Sequence, residues 1–269
     1  MKRLPTYFLS HGGGPWPYLT GALREHYRPL EASLKALARE LGSKPRAVLM
    51  VSGHWEASAF TVMASPHPSM VYDYAGFPEH TYHVEYSAPG SPELAARVKH
   101  LLEAAGIEAR LDANRGFDHG CIAPMAVMYP EADVPVIQLS LQIGYDPQTH
   151  FALGRALAPV RDEGVLIIGS GLSYHNLREF GAQAKVASEA FDAWLQQTLV
   201  HSPPDARTQR LLQWAQAPSA RRAHPQADHL IPLMVAVGAA EDEAAACIYH
   251  EQDFFGGVTA SSFRFGQMR

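Results

Sequence analysis

Cysteine is nearly missing from this chain. Cys121 and Cys247 are the only two among 269 residues, far apart and without CxxC spacing. That excludes a disulfide framework and a thiolate zinc site, so any bound metal must be held by nitrogen and oxygen. Long apolar runs are absent too: none approaches the roughly 20 residues of a membrane helix. Met1-Lys2-Arg3-Leu4-Pro5 runs directly into a short apolar strand without the apolar stretch of a signal peptide. The expectation is a cytoplasmic protein with no membrane partner. Positive charge is scarce, 22 Lys and Arg against 27 Asp and Glu for a net charge of −5, and the basic residues do not cluster. No nucleic-acid partner is expected of such a surface. There is no low-complexity linker, no internal repeat and no HExxH sequence, so residues 1–269 read as a single catalytic domain.

What is present is a core and an excess of histidine. Hydrophobic residues make up 47% of the chain and charged residues 18%, the proportions of a globular protein. Apolar runs at Thr6 to Ser10, Ala47 to Ser52, Phe60 to Ala64, Val134 to Leu141 and Val165 to Ile168 read as buried strands. Near the C-terminus, Ala245 to Tyr249 and Val258 to Phe265 would add antiparallel strands. Leu23 to Leu41, Pro92 to Ala105, Ile122 to Tyr129, Phe151 to Asp162, Lys185 to Val200 and His229 to Ala239 read as helices. The alternation predicts an α/β fold with a central, mostly parallel or mixed sheet flanked by helices. Asp205 to Arg222 reads as a polar excursion, and Ser65 to Gly90, rich in Pro, Gly, Tyr and His, as a long loop on the active-site side.

In open α/β sheets, ligands bind where loops leave the carboxyl ends of the strands. Of the 14 histidines, His11, His54 and His175 each follow a predicted strand at that end. His11 opens the turn Gly12-Gly13-Gly14-Pro15, whose glycines keep bulk away from the imidazole. A lone histidine is usually just hydrogen-bonded or exposed, but three in one topological position point to a metal site at the strand ends. Neutral imidazole suits iron, zinc, copper or nickel. His119, in Gly116-Phe117-Asp118-His119-Gly120, has Asp118 beside it to orient its ring. His229 follows Asp228 at the start of an apolar helix, where ligand and first-turn readings are evenly weighted.

Taken together, Leu9-Ser10-His11-Gly12-Gly13-Gly14, Val51-Ser52-Gly53-His54-Trp55, Gly116-Phe117-Asp118-His119-Gly120, Ser170-Gly171-Leu172-Ser173-Tyr174-His175-Asn176-Leu177 and Asp228-His229-Leu230-Ile231-Pro232-Leu233 resemble the motifs of the class III extradiol ring-opening dioxygenases. The nearest branch is the one that includes DOPA dioxygenases, to which Gly76-Phe77-Pro78 and Tyr86-Ser87-Ala88-Pro89-Gly90-Ser91-Pro92 are also similar. The resemblance implies one Fe(II) or Zn(II) held by His11, His54 and His229. It implies a catechol and O2 as small-molecule substrates, with Fe(II) expected for activity because Zn(II) cannot pass an electron to oxygen.

On that resemblance His175 is the expected acid/base and His119 the group that polarises or anchors the substrate. Asp118, Asp228 and Glu56 are expected as carboxylates behind the ligating rings. Tyr129, Trp55 and Arg115 are expected to contact substrate, with Tyr174, Tyr82, Tyr86 and Trp16 as further aromatic candidates. A carboxylated substrate would call on Arg115 or Arg178. Two other readings fit the same histidines: a zinc-dependent hydrolase, and a non-enzymatic metal-binding protein of the Memo type.

Overall fold

The structure is a computed structural model describing residues 3–267; the two residues at each end of the expected 1–269 domain lie outside the described residues. Eight strands form one mixed sheet: β1 (Thr6–Ser10), β2 (Ala47–Ala57), β3 (Phe60–Met63), β4 (Ala109–Asp112), β5 (Val136–Gln142), β6 (Val165–Gly171), β7 (Ala245–Phe254) and β8 (Val258–Phe265). Their order across the sheet is β4-β3-β5-β2-β6-β1-β8-β7. The central pairs β5–β2, β2–β6 and β6–β1 are parallel. Runs such as Val48-Leu49-Met50-Val51 and Val165-Leu166-Ile167-Ile168 are wholly buried, as expected of parallel strands covered on both faces. The C-terminal hairpin β7–β8 joins antiparallel beside β1.

Side chains alternate along β6, which places two helices on opposite faces of the sheet. Gly169 and Gly171 face the segment entering helix Ile231–Gly238: a Cβ would stand 2.2 Å from Pro232 O at the first and 2.0 Å from His229 O at the second. Ser170, between them, reaches the other way to Gly120 O in helix His119–Met128, at 2.5 Å. Only glycine lets the Ile231–Gly238 segment come this close, and that approach brings His229 to the end of β6.

The structure departs from the sequence expectation at several elements. Leu23 to Leu41 is two helices, Ala22–Glu25 and Arg28–Leu41; Pro29 lies in the first turn of the second, where its missing N–H and fixed φ suit a start but not an interior. The helix expected from Phe151 begins earlier, at Pro147, where Asp146 caps it by accepting from Thr149 N at 2.7 Å. Pro159 ends it, the chain continuing as a 3-10 turn. The polar excursion contains helix Pro204–Leu212, hidden because its buried side is made partly of Arg207, whose guanidinium lies 5.7 Å over the Phe265 ring. Strand β4 escaped notice because only four residues, half of them exposed, form it. Segment 65–90 is irregular apart from a 3-10 turn at Glu79–His83.

Candidate metal centre and substrate cavity

Three central strand ends assemble the site. β1 ends at Ser10, and His11 continues it for one bond, its N–H donating to Gly171 O at 3.0 Å. β2 loses register with β5 between Val51 and Glu56, an irregularity that re-aims a side chain and here carries His54. His229 is delivered by the turn before helix Ile231–Gly238, where its carbonyl accepts from Leu172 N at 3.1 Å.

The three imidazoles converge through their Nε2 atoms. His54 Nε2 lies 3.2 Å from His11 Nε2 and 3.0 Å from His229 Nε2. Each Nδ1 faces an oxygen that fixes the tautomer. Pro124 has no N–H for Gly120 O, so that carbonyl is free to accept from Ser170 Oγ at 2.5 Å. The Ser170 hydroxyl proton is thereby committed, and its oxygen accepts from His11 Nδ1 at 3.0 Å. His229 Nδ1 donates to Asp228 Oδ2 at 2.9 Å, and His54 Nδ1 faces Asp73 Oδ2 at 3.3 Å.

With every Nδ1 carrying the proton, three Nε2 lone pairs point at one another, an arrangement that requires a cation between them. Protons do not readily supply it. Burial, then the neighbouring imidazoles, push His11 and His229 well below the usual histidine range, and burial followed by His119 lowers His54 to about 3. The spacing fits a metal: two nitrogens each about 2.1 Å from one ion are about 3.0 Å apart at right angles.

Two more histidines flank the triad. The His175 ring stacks on His229 with centroids 3.4 Å apart and planes 13° from parallel; burial lowers its pKa, Asp228 opposing and His119 adding to the shift. The His119 ring centroid is 3.8 Å from that of His54. Its carboxylate partner is Asp73, whose Oδ1 accepts from both His119 Nδ1 at 2.9 Å and His119 N at 3.0 Å. Burial raises the Asp73 carboxyl, but the hydrogen bonds from His119 together with the charges of His119 and His54 outweigh it and hold the group below its usual value.

The five histidines open onto a cavity of about 610 Å³ lined also by Asp73, Asp228, Tyr27, Tyr74, Phe77, Phe180, Phe254 and Phe255, a volume suited to a small aromatic molecule. Its aromatic wall joins four distant parts of the chain: Tyr27 at the start of helix Arg28–Leu41, segment 65–90, the approach to helix Lys185–Leu199, and the β7–β8 hairpin.

Several expected residues lie elsewhere. Asp118 does not orient His119: it caps helix His119–Met128, accepting from Cys121 N at 3.1 Å, and pairs with Gln138 Nε2 at 2.7 Å and Arg115 Nη2 at 2.8 Å. Arg115 is spent on that pair and on the Trp55 face, 4.8 Å away, so neither reaches the cavity. Trp55 follows His54 and therefore points to the opposite side of the strand. Tyr129 ends the helix that His119 begins, about 15 Å along it, and borders a separate depression with Lys44 and Pro130. Glu56 is exposed and accepts from Tyr145 OH. Tyr174, Tyr82, Tyr86, Trp16 and Arg178 are likewise outside the cavity lining. Asp73, Tyr74 and the Phe254-Phe255 pair went unnoticed in the sequence; the one signal was Asp73 within Val71-Tyr72-Asp73-Tyr74 of the loop assigned to the active-site side.

The family described as "Catalytic LigB subunit of aromatic ring-opening dioxygenase" matches residues 5–266. A Beta vulgaris protein named 4,5-DOPA dioxygenase extradiol is 38% identical over 97% of this chain and 96% of its own length. Proteins of the same name from Portulaca grandiflora, 40% identical over 82% of this chain and 83% of theirs, and from Escherichia coli K12, 32% identical over 98% and 95%, are also similar. The crystal structure of an uncharacterized Escherichia coli K12 protein superposes with a TM-score of 0.78 at 30% identity, covering 98% of this chain and 100% of that one.

Proposed function

This chain belongs to the LigB family of aromatic ring-opening dioxygenases and is an extradiol enzyme with a metal cofactor; we propose that it opens a catechol-type ring with O2 at a mononuclear non-haem Fe(II) held by His11, His54 and His229, giving a semialdehyde acid. The observation that carries this reading is the convergence of three Nε2 lone pairs, each fixed by an oxygen on its own Nδ1. Iron held there by these three rings would supply a redox-active Lewis acid for the reaction of the catechol with O2. Zn(II) fits the same three nitrogens but offers no electron to oxygen.

The protein's own groups handle protons and position. His175, kept neutral by burial, takes a proton from a catechol hydroxyl at neutral pH and returns one as the ring opens. Asp228, with a ligand atom within 4.8 Å of those of His175 and His229, stabilises the imidazolium formed. His119 donates its Nδ1–H in a hydrogen bond to Asp73 Oδ1, which leaves Nε2 to accept from the second hydroxyl and anchor it. The aromatic wall contacts the ring and excludes water. The names of the relatives make 3,4-dihydroxyphenylalanine the first catechol to try.

Anaerobic loading with Fe(II), followed by oxygen-electrode measurements on a panel of catechols, tests the proposal. One O2 consumed per ring, with the absorbance of a semialdehyde product, is expected. Absence of uptake across the panel on fully iron-loaded protein overturns it.

A further inference from the structure

Among the described residues lining the cavity there is neither lysine nor arginine to meet an anionic ring substituent. Backbone is present instead, in the turn Gly12-Gly13-Gly14 that lines the cavity directly after His11. Gly12 and Gly14 have φ of +80° and +55°, while Gly13 between them stays outside the positive-φ region. Alternation of this kind curls successive peptides into a concave nest of N–H groups, a shape that binds anions. Side chains are barred from it: a Cβ on Gly12 would stand 2.6 Å from Trp16 Nε1, and one on Gly14 would stand 2.5 Å from the Phe77 ring.

The carbonyls of the turn fix where its N–H groups point. No peptide among the described residues is cis, so each N–H is directed opposite to the carbonyl of the preceding residue. The His11 carbonyl accepts from Trp16 Nε1 at 2.7 Å, and the Gly13 carbonyl accepts from Tyr27 OH at 3.3 Å. Trp16 and Tyr27 are stacked with ring centroids 4.9 Å apart, so both carbonyls are drawn to one side of the turn. The N–H groups of Gly12 and Gly14 therefore face the other side, away from the fully buried Trp16 and into the cavity that the turn lines. Both glycines are buried, and among the described residues neither N–H has an acceptor. Two buried donors left in this way are stabilised by an oxygen bound between them.

We propose that turn 12–14 is a carboxylate subsite, in which the N–H groups of Gly12 and Gly14 hold an anionic ring substituent beside the metal centre. The proposal rests on the ring-opening reading for the identity of the bound ring. The acids on the wall do not oppose it: a divalent ion held by His11, His54 and His229 offsets the charges of Asp73 and Asp228, the two carboxylates lining the cavity. Peptide dipoles carry no net charge, so the turn receives a carboxylate without setting a cationic side chain against that ion.

The test uses Zn(II)-loaded protein, in which binding is read without turnover, and two catechols of the same shape: 3-(3,4-dihydroxyphenyl)propanoate and its primary amide. Calorimetry gives the affinities, and amide proton shifts of isotope-labelled glycines show which N–H groups take part. The acid should bind at least about 10-fold more tightly than the amide, and only the acid should move the Gly12 and Gly14 amide protons downfield. Tyr27→Phe, which releases the Gly13 carbonyl and with it the aim of the Gly14 N–H, should weaken the acid more than the amide. Equal or weaker binding of the acid overturns the proposal. So does a gap that persists with the Gly12 and Gly14 amides unmoved, or one that Tyr27→Phe leaves unchanged. Oxygen uptake on Fe(II)-loaded protein is measured separately: if the acid binds through both glycines and neither ring is opened, the subsite stands and the ring-opening reading falls.

Discussion

Replacing Asp73 by asparagine tests how the site is organised with almost no change of shape. Its Oδ1 takes two hydrogen bonds from His119, to the ring Nδ1 at 2.9 Å and the backbone N at 3.0 Å, while Oδ2 faces His54 Nδ1 at 3.3 Å. A carboxylate can accept on both sides; an amide has one oxygen and an NH2 that only donates. Turned to keep His119, the asparagine sets its NH2 against His54 Nδ1–H. The imidazole must then move its proton to Nε2, the atom 3.2 Å from His11 Nε2 and 3.0 Å from His229 Nε2. Loss of a carboxylate behind a ligating imidazole costs about 10- to 100-fold in metal affinity, or about 1.4–2.8 kcal/mol. Turned the other way, the amide frees His119, and turnover at saturating metal falls by about 100-fold, as for loss of a group that positions a proton. Chelator competition reads the first effect, and kcat under saturating Fe(II) reads the second. Circular dichroism should be unchanged, since Asp73 sits on a loop with its side chain 19% exposed. An Asp73→Asn protein with both the metal affinity and the kcat of the parent refutes the reasoning.

Further outcomes follow from the same geometry. His11→Ala, His54→Ala and His229→Ala should each lose tight metal binding by elemental analysis, whereas His119→Ala should keep the metal and lose about 100-fold or more in kcat; full metal content in His229→Ala would sink the ligand set. Burial places the His175 pKa below 6.5, so kcat should be flat at neutral pH and decline on an acid limb below 6.5, and a limb centred above 7 would exclude His175 as the base. His150 donates through Nδ1 to Asp146 O at 2.7 Å and accepts at Nε2 from Gln142 N at 3.2 Å, and burial lowers it to about 4. Because its folded pKa lies below the unfolded value, the unfolded chain takes up more protons. Stability should therefore fall as pH drops from about 6.5 to about 4, by roughly 3 kcal/mol; urea denaturation across that range should show a shallower decline for His150→Gln. Gly171→Ala would set a Cβ 2.0 Å from His229 O, and the displaced turn should cost about 1–3 kcal/mol in denaturant melts and weaken metal binding; an unaltered protein would contradict the packing.

The α/β class and the site at the strand ends were legible because they depend on local pattern. Apolar runs of strand length mark β1, β2, β5 and β6, and a histidine just beyond β1 stands at a strand's carboxyl end whatever the rest of the chain does. The ordered motifs around His11, His54, His119, His175 and His229 carried the family resemblance, and the chain proves to belong to that family. Which neighbour serves which ring was decided only by tertiary packing. Adjacency in sequence suggested Asp118 for His119, but a residue just before a helix turns its carboxylate onto that helix's own N–H groups, and the partner came from Asp73 in a distant loop. Adjacency also suggested Trp55, which alternation along the strand sends to the far side. The proton order on His11 depends on Pro124 leaving Gly120 O free for Ser170, residues that no local pattern connects. Which charges face the cavity is a tertiary property for the same reason: Arg115 turns to Asp118 and the Trp55 face, Arg178 is exposed outside the lining, and Asp73 and Asp228 are the charged side chains on the wall besides the histidines.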